Sequence, residues 1–272
     1  MNTKINLAGV ELKNPVMTAS GTFGSGMEYS EFVDLNKLGA VVTKGVANVP
    51  WPGNPTPRIA ETYGGMINAI GLQNPGIDVF CERDIPFLKK YDTKIIVNVC
   101  GKSERDYVEV VERLAGEPVD MLEINISCPN VKEGGIAFGQ NAANIEHITK
   151  AIKNVAKQPV IMKLSPNVTD ITEMAKAAEA GGADVLSLIN TITGMKIDIN
   201  RQTFAVANKT GGLSGPAVKP VAVRMVYQVA NAVKIPIIGM GGIATAEDAL
   251  EFILAGATAV SWAPVVSTRS PQ

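Results

Sequence analysis

Histidine, cysteine and long apolar stretches are scarce in this chain, and each scarcity excludes a class of function. The only histidine, His147, lies in a predicted helix over residues 141–157, where a surface or helix-packing position is expected. The chemistry must therefore use a different acid–base residue. Three widely spaced cysteines, Cys81, Cys100 and Cys128, form neither a disulfide framework nor a CxxC site. We expect no metal site and a reducing, cytoplasmic location.

An excess of charge of either sign is also missing. The chain has 25 basic and 26 acidic residues and a formal net charge of −1. A nucleic-acid or acidic-membrane partner would leave a basic excess, so neither partner is expected. No segment approaches the roughly 18 unbroken apolar residues of a membrane span, and the first residues lack the apolar stretch of a secretory signal.

Short apolar runs recur along the chain, and each is followed by a polar or glycine cluster. Continuous rather than alternating apolar runs are typical of parallel strands that helices cover on the outside. The eight runs are Val16–Ser20, Ala40–Lys44, Ile95–Val99, Met121–Ile126, Val160–Leu164, Val185–Ile189, Ile235–Met240 and Thr258–Ser261.

Helical patterns intervene between these runs, at Met27–Leu38, Arg105–Leu114, Asn141–Lys157, Ile171–Ala180, Lys219–Val233 and Ala246–Ala255. Eight strands alternating with helices favour an α/β fold of the (β/α)₈ TIM-barrel type over an open sheet. No low-complexity linker divides the chain, so residues 1–272 are predicted to form a single domain. The segment Ile5–Leu12 predicts a hairpin that turns at Ala8-Gly9 and plugs the bottom of the barrel.

Polar side chains stand where the predicted strands end. Active-site residues of such barrels lie at the C-terminal ends of the strands. A buried lysine without a partner costs several kcal/mol, so packing does not explain residues of this kind. The strand ends carry Ser20, Lys44, Asn98, Asn125, Lys163 and Asn190.

Two glycine clusters form a second signal, at 209–216 and 239–242. Glycine allows backbone N–H groups to approach a phosphate closely. Neither cluster fits the P-loop or the dinucleotide fingerprint, whereas both fit the phosphate site that barrels commonly build near their last strands.

Cys128 differs from the other two cysteines because Ser127, Pro129 and Asn130 surround it with a polar turn. Cys81 and Cys100 are expected to be small buried apolar residues. A thiol with an ordinary pKa near about 8.5 is able to act as a base where histidine is missing.

These segments closely resemble the class 1 dihydroorotate dehydrogenases, specifically the NAD-linked 1B branch, from about residue 4 to Ser261. Most specific are the Asn-Ile-Ser-Cys-Pro-Asn turn and the Lys-Thr-Gly-Gly-Leu-Ser-Gly-Pro loop. The matching segments are 19–21, 43–45, 68–74, 125–130, 163–166, 190–191, 209–216 and 239–243.

The resemblance implies a flavoprotein that oxidises dihydroorotate to orotate in pyrimidine (UMP) biosynthesis. Cys128 would remove the proton from C5 of the substrate, and hydride would pass from C6 to FMN. Lys163 would stabilise the reduced flavin, and Val131–Gln140, with its glycines, would form a mobile lid. The implied FMN site is Ser20, Lys44, Gly45, Asn98, Asn125, Lys163, Ile189, Gly215, Gly241 and Gly242. The implied substrate site is Lys44, Asn68, Ala69, Ile70, Gly71, Leu72, Asn125, Asn190 and Thr191.

The 1B resemblance also implies a homodimeric core and a second subunit that carries FAD and a 2Fe–2S cluster and reduces NAD. This chain has neither four cluster-ligating cysteines nor a dinucleotide fingerprint. The close alternative is the fumarate-linked 1A type. Three others are an FMN barrel enzyme acting on a related ring, a phosphate-sugar isomerase or aldolase, and a flavin-poor protein without activity.

The last residues depart from the family pattern. Ala263-Pro264 stand where the family has a Gly-Thr pair that completes the phosphate site, and proline has no N–H to donate. We expect an altered or truncated tail over Trp262–Gln272, an incomplete last βα unit and an exposed apolar flank. Loss of one charge-assisted bond predicts roughly 10- to 100-fold weaker FMN binding.

Overall fold

The computed structural model describes residues 2–128 and 136–263. Most strands are short and follow one another through helices or long loops. In chain order the strands are β1 (Ile5–Leu7), β2 (Val10–Leu12), β3 (Val16–Thr18), β4 (Ala40–Val42), β5 (Ile59–Thr62), β6 (Gly65–Asn68), β7 (Lys94–Val99), β8 (Met121–Asn125), β9 (Val160–Lys163), β10 (Val185–Leu188), β11 (Ile192–Met195), β12 (Ile197–Asp198), β13 (Thr203–Phe204), β14 (Thr210–Ser214), β15 (Ile237–Met240) and β16 (Ala259–Trp262).

The α-helices lie outside the strands and cover their outer faces. In chain order they are α1 (Ser20–Phe23), α2 (Ile77–Val79), α3 (Ile85–Leu88), α4 (Glu104–Leu114), α5 (Ile136–Gly139), α6 (Ala142–Val155), α7 (Ile171–Ala180), α8 (Lys219–Ala230) and α9 (Ala246–Leu254). A π-helical turn, Phe80–Asp84, joins α2 to α3.

Eight parallel strands close into a barrel in the order β3-β4-β7-β8-β9-β10-β15-β16, and β16 pairs back onto β3. Every predicted apolar run overlaps one of these strands, so the predicted (β/α)₈ barrel is confirmed. The strands are buried on both faces because helices pack outside them and side chains fill the interior. Residues 264–272 lie outside the described part of the chain, and with them most of the predicted altered tail.

The predicted hairpin is present as the antiparallel pair β1–β2. Leu7 and Leu12 are fully buried and pack against Met17, Ala40 and other interior side chains near the starts of the barrel strands. The hairpin therefore closes the N-terminal end of the barrel, which leaves the C-terminal end as the place for a site.

The predicted helix Met27–Leu38 is wrong. Two separate 3₁₀ turns, Tyr29–Glu31 and Leu35–Lys37, stand in its place. Asp34 interrupts the helix because its backbone is extended and its side chain accepts a hydrogen bond from the backbone N–H of Asn36. A side chain that bonds its own neighbouring backbone in this way competes with helical hydrogen bonding.

A four-stranded antiparallel sheet, β11-β14-β6-β5, joins two long loops. One loop follows β4 and supplies β5 and β6, and the other follows β10 and supplies β11 and β14. Both loops leave the C-terminal ends of barrel strands, so the sheet lies at the open end of the barrel. The sequence analysis did not predict this sheet.

Candidate active site

The barrel interior changes from apolar to polar towards its C-terminal end. Successive residues of a strand point to opposite faces, so alternate residues share the interior. On β7 to β10 the inward positions begin with apolar residues such as Met121 and Ile161. They continue as buried polar residues at Asn98, Glu123, Asn125, Lys163 and Ser187.

The carboxylate of Glu123 organises this polar layer. The side chain is 1% exposed, and it accepts hydrogen bonds from Asn98 Nδ2 at 2.5 Å and from Ser187 Oγ at 2.8 Å. Lys163 Nζ lies 3.6 Å from Glu123 Oε2 and donates to Ser20 Oγ at 3.3 Å. The buried lysine thus has the counter-charge that burial requires.

A chain of amide and hydroxyl groups leads from this carboxylate towards the mouth. Asn125 Nδ2 donates to Asn98 Oδ1 at 3.4 Å, and Asn125 Oδ1 accepts from Ser127 Oγ at 3.0 Å. Asn190 Nδ2 in turn donates to Ser127 Oγ at 2.9 Å. One hydrogen-bonded network therefore joins Asn98 to Asn190, which lie 92 positions apart in the sequence.

Lys44 lies beside this network together with two thiols. Burial lowers the pKa of Lys44 below its ordinary value, the nearby Cys128 and Cys100 partly oppose this effect, and the Lys163 charge adds to it. Burial raises the pKa of the Cys100 thiol, with a smaller contribution from Cys128. Cys128 is itself buried, and Pro129 and Asn130 of its predicted polar turn lie outside the described residues.

The glycines predicted to bind phosphate converge at the start of α8. Gly215, Gly241 and Gly242 all have positive φ, at 109°, 122° and 79°. A Cβ on Gly242 would lie 2.8 Å from the Gly215 carbonyl oxygen and 2.9 Å from the Lys219 nitrogen, and one on Gly241 would lie 3.2 Å from Ile189. Only glycine fits these backbones. The clusters follow the sixth and seventh barrel strands, near the last strands as predicted.

The residues from Asn68 to Leu72 enter the site from the four-stranded sheet. Asn68 ends β6 and donates from Nδ2 to the Gly212 carbonyl at 3.3 Å. Gly212 in turn packs so closely on Thr191 that a Cβ there would lie 1.9 Å from Thr191 Oγ1. At the other end of the segment, Leu72 packs within 3.3 Å of the Cβ position of Gly45, which also faces Asn98. The whole predicted set is thus brought to one end of the barrel.

Sequence reasoning missed Glu123 and Ser187. Their signal was present, since a charged or polar residue in the middle of a buried apolar strand is rare without a partner.

His147 is exposed and its Nε2 lies 2.7 Å from a carboxylate oxygen of Glu104, so it is a surface residue, as predicted, and not an acid–base residue of the site. Within the predicted lid, residues 131–135 lie outside the described part of the chain, and Gly139 packs against the Ile126 carbonyl.

A closed parallel barrel whose mouth gathers ammonium, amide and thiol groups defines an α/β-barrel enzyme with its site at the C-terminal face. The family model described as dihydroorotate dehydrogenase matches residues 2–269. The chain belongs to the dihydroorotate dehydrogenase family, whose members are flavin-dependent oxidoreductases, and its relatives place it in the NAD-linked 1B branch rather than the fumarate-linked one.

Two relatives support this placement, and one solved structure supports the family. The chain is 78% identical over 261 residues to the catalytic subunit of dihydroorotate dehydrogenase B (NAD⁺) of Lachnoclostridium phytofermentans, covering 96% of this chain and 87% of that protein. The corresponding subunit of Alkaliphilus metalliredigens is 69% identical over 96% of this chain and 86% of its own. Among solved structures, DHODH of Eimeria tenella in complex with ferulenol superposes with a TM-score of 0.79 at 26% identity, covering 96% of this chain and 78% of that one.

Proposed function

We propose that this chain oxidises (S)-dihydroorotate to orotate, with FMN bound at the C-terminal mouth of the barrel. The observation that carries the proposal is the buried network that links Lys163, Asn98, Asn125 and Asn190 through Glu123. The pyrimidine ring offers alternating N–H and C=O groups, and carboxamides are able to pair with both kinds.

The residues present fit FMN. A flavin phosphate needs a close backbone approach, which Gly215, Gly241 and Gly242 allow beside the start of α8. An isoalloxazine ring needs a flat apolar wall and polar groups at its edge, which Ile189 and the Lys163–Asn98 network would supply. The other residues of the proposed FMN site are Ser20, Lys44, Gly45 and Asn125.

When bound, FMN supplies the acceptor for the hydride that leaves C6 of the substrate. Cys128 would take the proton from C5. Lys163, held between Ser20 and Glu123, would place a fixed positive charge at the flavin edge. Lys44 would reach both flavin and substrate carboxylate, and Asn68 to Leu72, Asn125, Asn190 and Thr191 would bind the ring.

The electron acceptor after FMN is proposed to be NAD, reached through FAD and a 2Fe–2S cluster on a partner subunit. The relatives are catalytic subunits by name, which supports a partner of this kind. We further propose one domain for the whole chain and a cytoplasmic location. Within the described residues no helix is both long and apolar enough to cross a membrane, and no group of His, Cys, Asp and Glu is arranged to hold a metal ion.

The direct test is a reductive half-reaction without oxygen. The purified protein should contain FMN, and dihydroorotate should bleach its visible absorption whereas dihydrouracil should not. A colourless preparation that takes up no added FMN would contradict the proposal and favour the flavin-poor alternative, and equal bleaching by dihydrouracil would favour another pyrimidine oxidoreductase.

Replacing Lys44 with methionine should weaken orotate binding by about 10- to 100-fold at neutral pH, the size of a charge-assisted hydrogen bond. In the unmodified protein the ammonium is lost at a lower pH than for an ordinary lysine, because burial lowers its pKa. Orotate affinity should therefore fall as pH rises through that lowered value, and in the variant this fall should be missing. Titrations of the flavin spectrum with orotate from neutral to alkaline pH measure both effects.

The same lowered pKa has a consequence for stability. Between the folded and the unfolded pKa of Lys44 the unfolded chain binds more protons, so the protein gains stability as pH rises through this window. The methionine variant should lose that gain. A thermal melt that rises equally with pH in both proteins would show that Lys44 is not the group responsible.

Exposed apolar side chains surround the four-stranded sheet and the small β12–β13 hairpin, and they support the proposed homodimeric core. They are Ile59, Tyr63, Met66, Met195, Ile197, Ile199 and Phe204. Exposed apolar side chains grouped on one sheet and its neighbouring hairpin are typical of a subunit contact. Replacing Ile199, which is 81% exposed, with glutamate should convert a dimer to a monomer in light scattering behind size-exclusion chromatography.

Leu254→Glu is the matched control for Ile199→Glu. Leu254 is 87% exposed and ends α9. Because the helices of such a barrel run antiparallel to the strands, this residue lies at the end of the barrel opposite the patch. The control should leave the mass unchanged. A monomeric unmodified protein, or a dimer that only the control disrupts, would contradict the proposed contact.

A further inference from the structure

We infer that Glu123 is a positioning residue that, together with the backbone N–H groups of Ser127 and Thr191, fixes which edge of the Asn98, Asn125 and Asn190 amides points into the site. The inference rests on the proposed function, because it assumes that those amides bind the pyrimidine and the flavin. Glu123 itself is 1% exposed and lies below Asn98, Asn125 and Asn190 in the network.

The chemistry of the carboxylate determines how its neighbours must be oriented. An ionised carboxylate only accepts hydrogen bonds, whereas a carboxamide has one accepting and one donating end that differ little in shape. Asn98 must therefore turn its Nδ2 towards Glu123, at 2.5 Å, and this leaves its Oδ1 to face the mouth. The Ser187 hydroxyl, at 2.8 Å, must donate as well.

The direction then passes from group to group. Because Asn98 presents Oδ1, Asn125 offers its Nδ2 to it at 3.4 Å and keeps Oδ1 for the Ser127 hydroxyl at 3.0 Å. That hydroxyl donates its hydrogen to Asn125, so it can only accept from Asn190 Nδ2, at 2.9 Å. The Asn190 Oδ1 is left to accept from the Thr191 backbone N–H at 2.8 Å. Every step runs towards the Glu123 carboxylate, and the backbone N–H of Ser127, 3.3 Å from Asn125 Oδ1, holds Asn125 in the same direction.

Charge alone does not require this arrangement. Lys163 Nζ lies 3.6 Å from Glu123 Oε2, and a carboxylate could have balanced the lysine charge without contacting any amide. Instead one carboxylate contacts side chains from three other strands, β7, β9 and β10. Glutamine in its place would have a donating end of its own, and Asn98 could then turn its Nδ2 towards Asn125, which would break the hydrogen bond that Asn125 Nδ2 donates to Asn98 Oδ1.

The test compares Glu123→Gln with Ser187→Ala, which removes a donor that leads to no ligand-facing amide. Both are prepared as full-length protein loaded with FMN, and orotate binding is followed through the shift it causes in the flavin absorption spectrum. Glu123→Gln should weaken orotate binding roughly 10- to 100-fold, the size of a charged hydrogen bond. Its rate of flavin reduction at saturating dihydroorotate should fall less than this, because Cys128 is not part of the chain of amides and Lys163 keeps its hydrogen bond to Ser20. Ser187→Ala should change both values by less than about threefold.

Glu123→Asp provides a second variant if the glutamine variant does not fold. It keeps an anion but withdraws it by one methylene group, and it should weaken orotate binding by an intermediate factor. Orotate affinity within about twofold of the unmodified protein in whichever variant folds would overturn the inference. If the unmodified protein itself binds no FMN or no orotate, the proposed function fails instead.

Discussion

Replacing Cys128 with alanine is expected to slow flavin reduction by dihydroorotate about 10²- to 10⁴-fold, the usual contribution of a positioned general base. The thiol is buried, lies close enough to Lys44 to affect its pKa, and belongs to a site in which the described residues offer no histidine. Orotate affinity should change little, because alanine removes the base but none of the ring-binding amides. Stopped-flow bleaching of the bound flavin measures the rate.

Cys81→Ala is the matched control. Cys81 is buried in the outer core near α2 and α3, and burial raises its pKa to about 11. Loss of this thiol should leave the bleaching rate unchanged. Unmodified rates in the Cys128 variant, or an equal loss in both variants, would show that Cys128 is not the base.

Gly242→Ala should have the largest effect on FMN binding, a loss of roughly 10²- to 10⁴-fold in affinity. The φ of 79° strains any other residue, and the added Cβ would lie within 3 Å of two backbone atoms, the Gly215 oxygen and the Lys219 nitrogen. Either the turn or the start of α8 must shift, and both belong to the proposed phosphate site. Flavin fluorescence on titration of the apoprotein with FMN measures the affinity.

Gly116→Ala is the control for this substitution. Gly116 follows α4, and a Cβ there would meet nothing within 4 Å. This variant should bind FMN as the unmodified protein does. Normal FMN affinity in the Gly242 variant would place the phosphate elsewhere.

Much of the barrel was predictable from the sequence, since buried parallel strands are continuous apolar runs that local composition reveals. The runs at Ala40–Lys44 and Val160–Leu164, for example, each contain their observed strand. The failure at Met27–Leu38 has a local cause, the Asp34 side chain bonded to its own backbone. The four-stranded sheet has no local signal, because β14 is rich in glycine and pairs with β6 across more than 140 positions.

The site was predictable in part for a similar reason. Strand-end residues such as Lys163 and Asn125 follow from the barrel alone. Which of them contact one another does not follow, because contacts depend on strand register: Asn98 stands opposite Glu123, and Asn125 opposite Lys163. Glu123 was missed because the sequence analysis examined strand ends, whereas its position is within β8.

The sheet over the mouth couples the two halves of the proposed site in the order of folding. Asn68 reaches Gly212, and Gly215 packs against Gly64 and Gly65, only when two loops more than 140 positions apart have met. Closing so long a loop has an entropic cost that precedes any favourable contact. A nearly complete barrel would therefore acquire phosphate binding and pyrimidine recognition together, when the sheet forms, and a destabilised chain should lose both together.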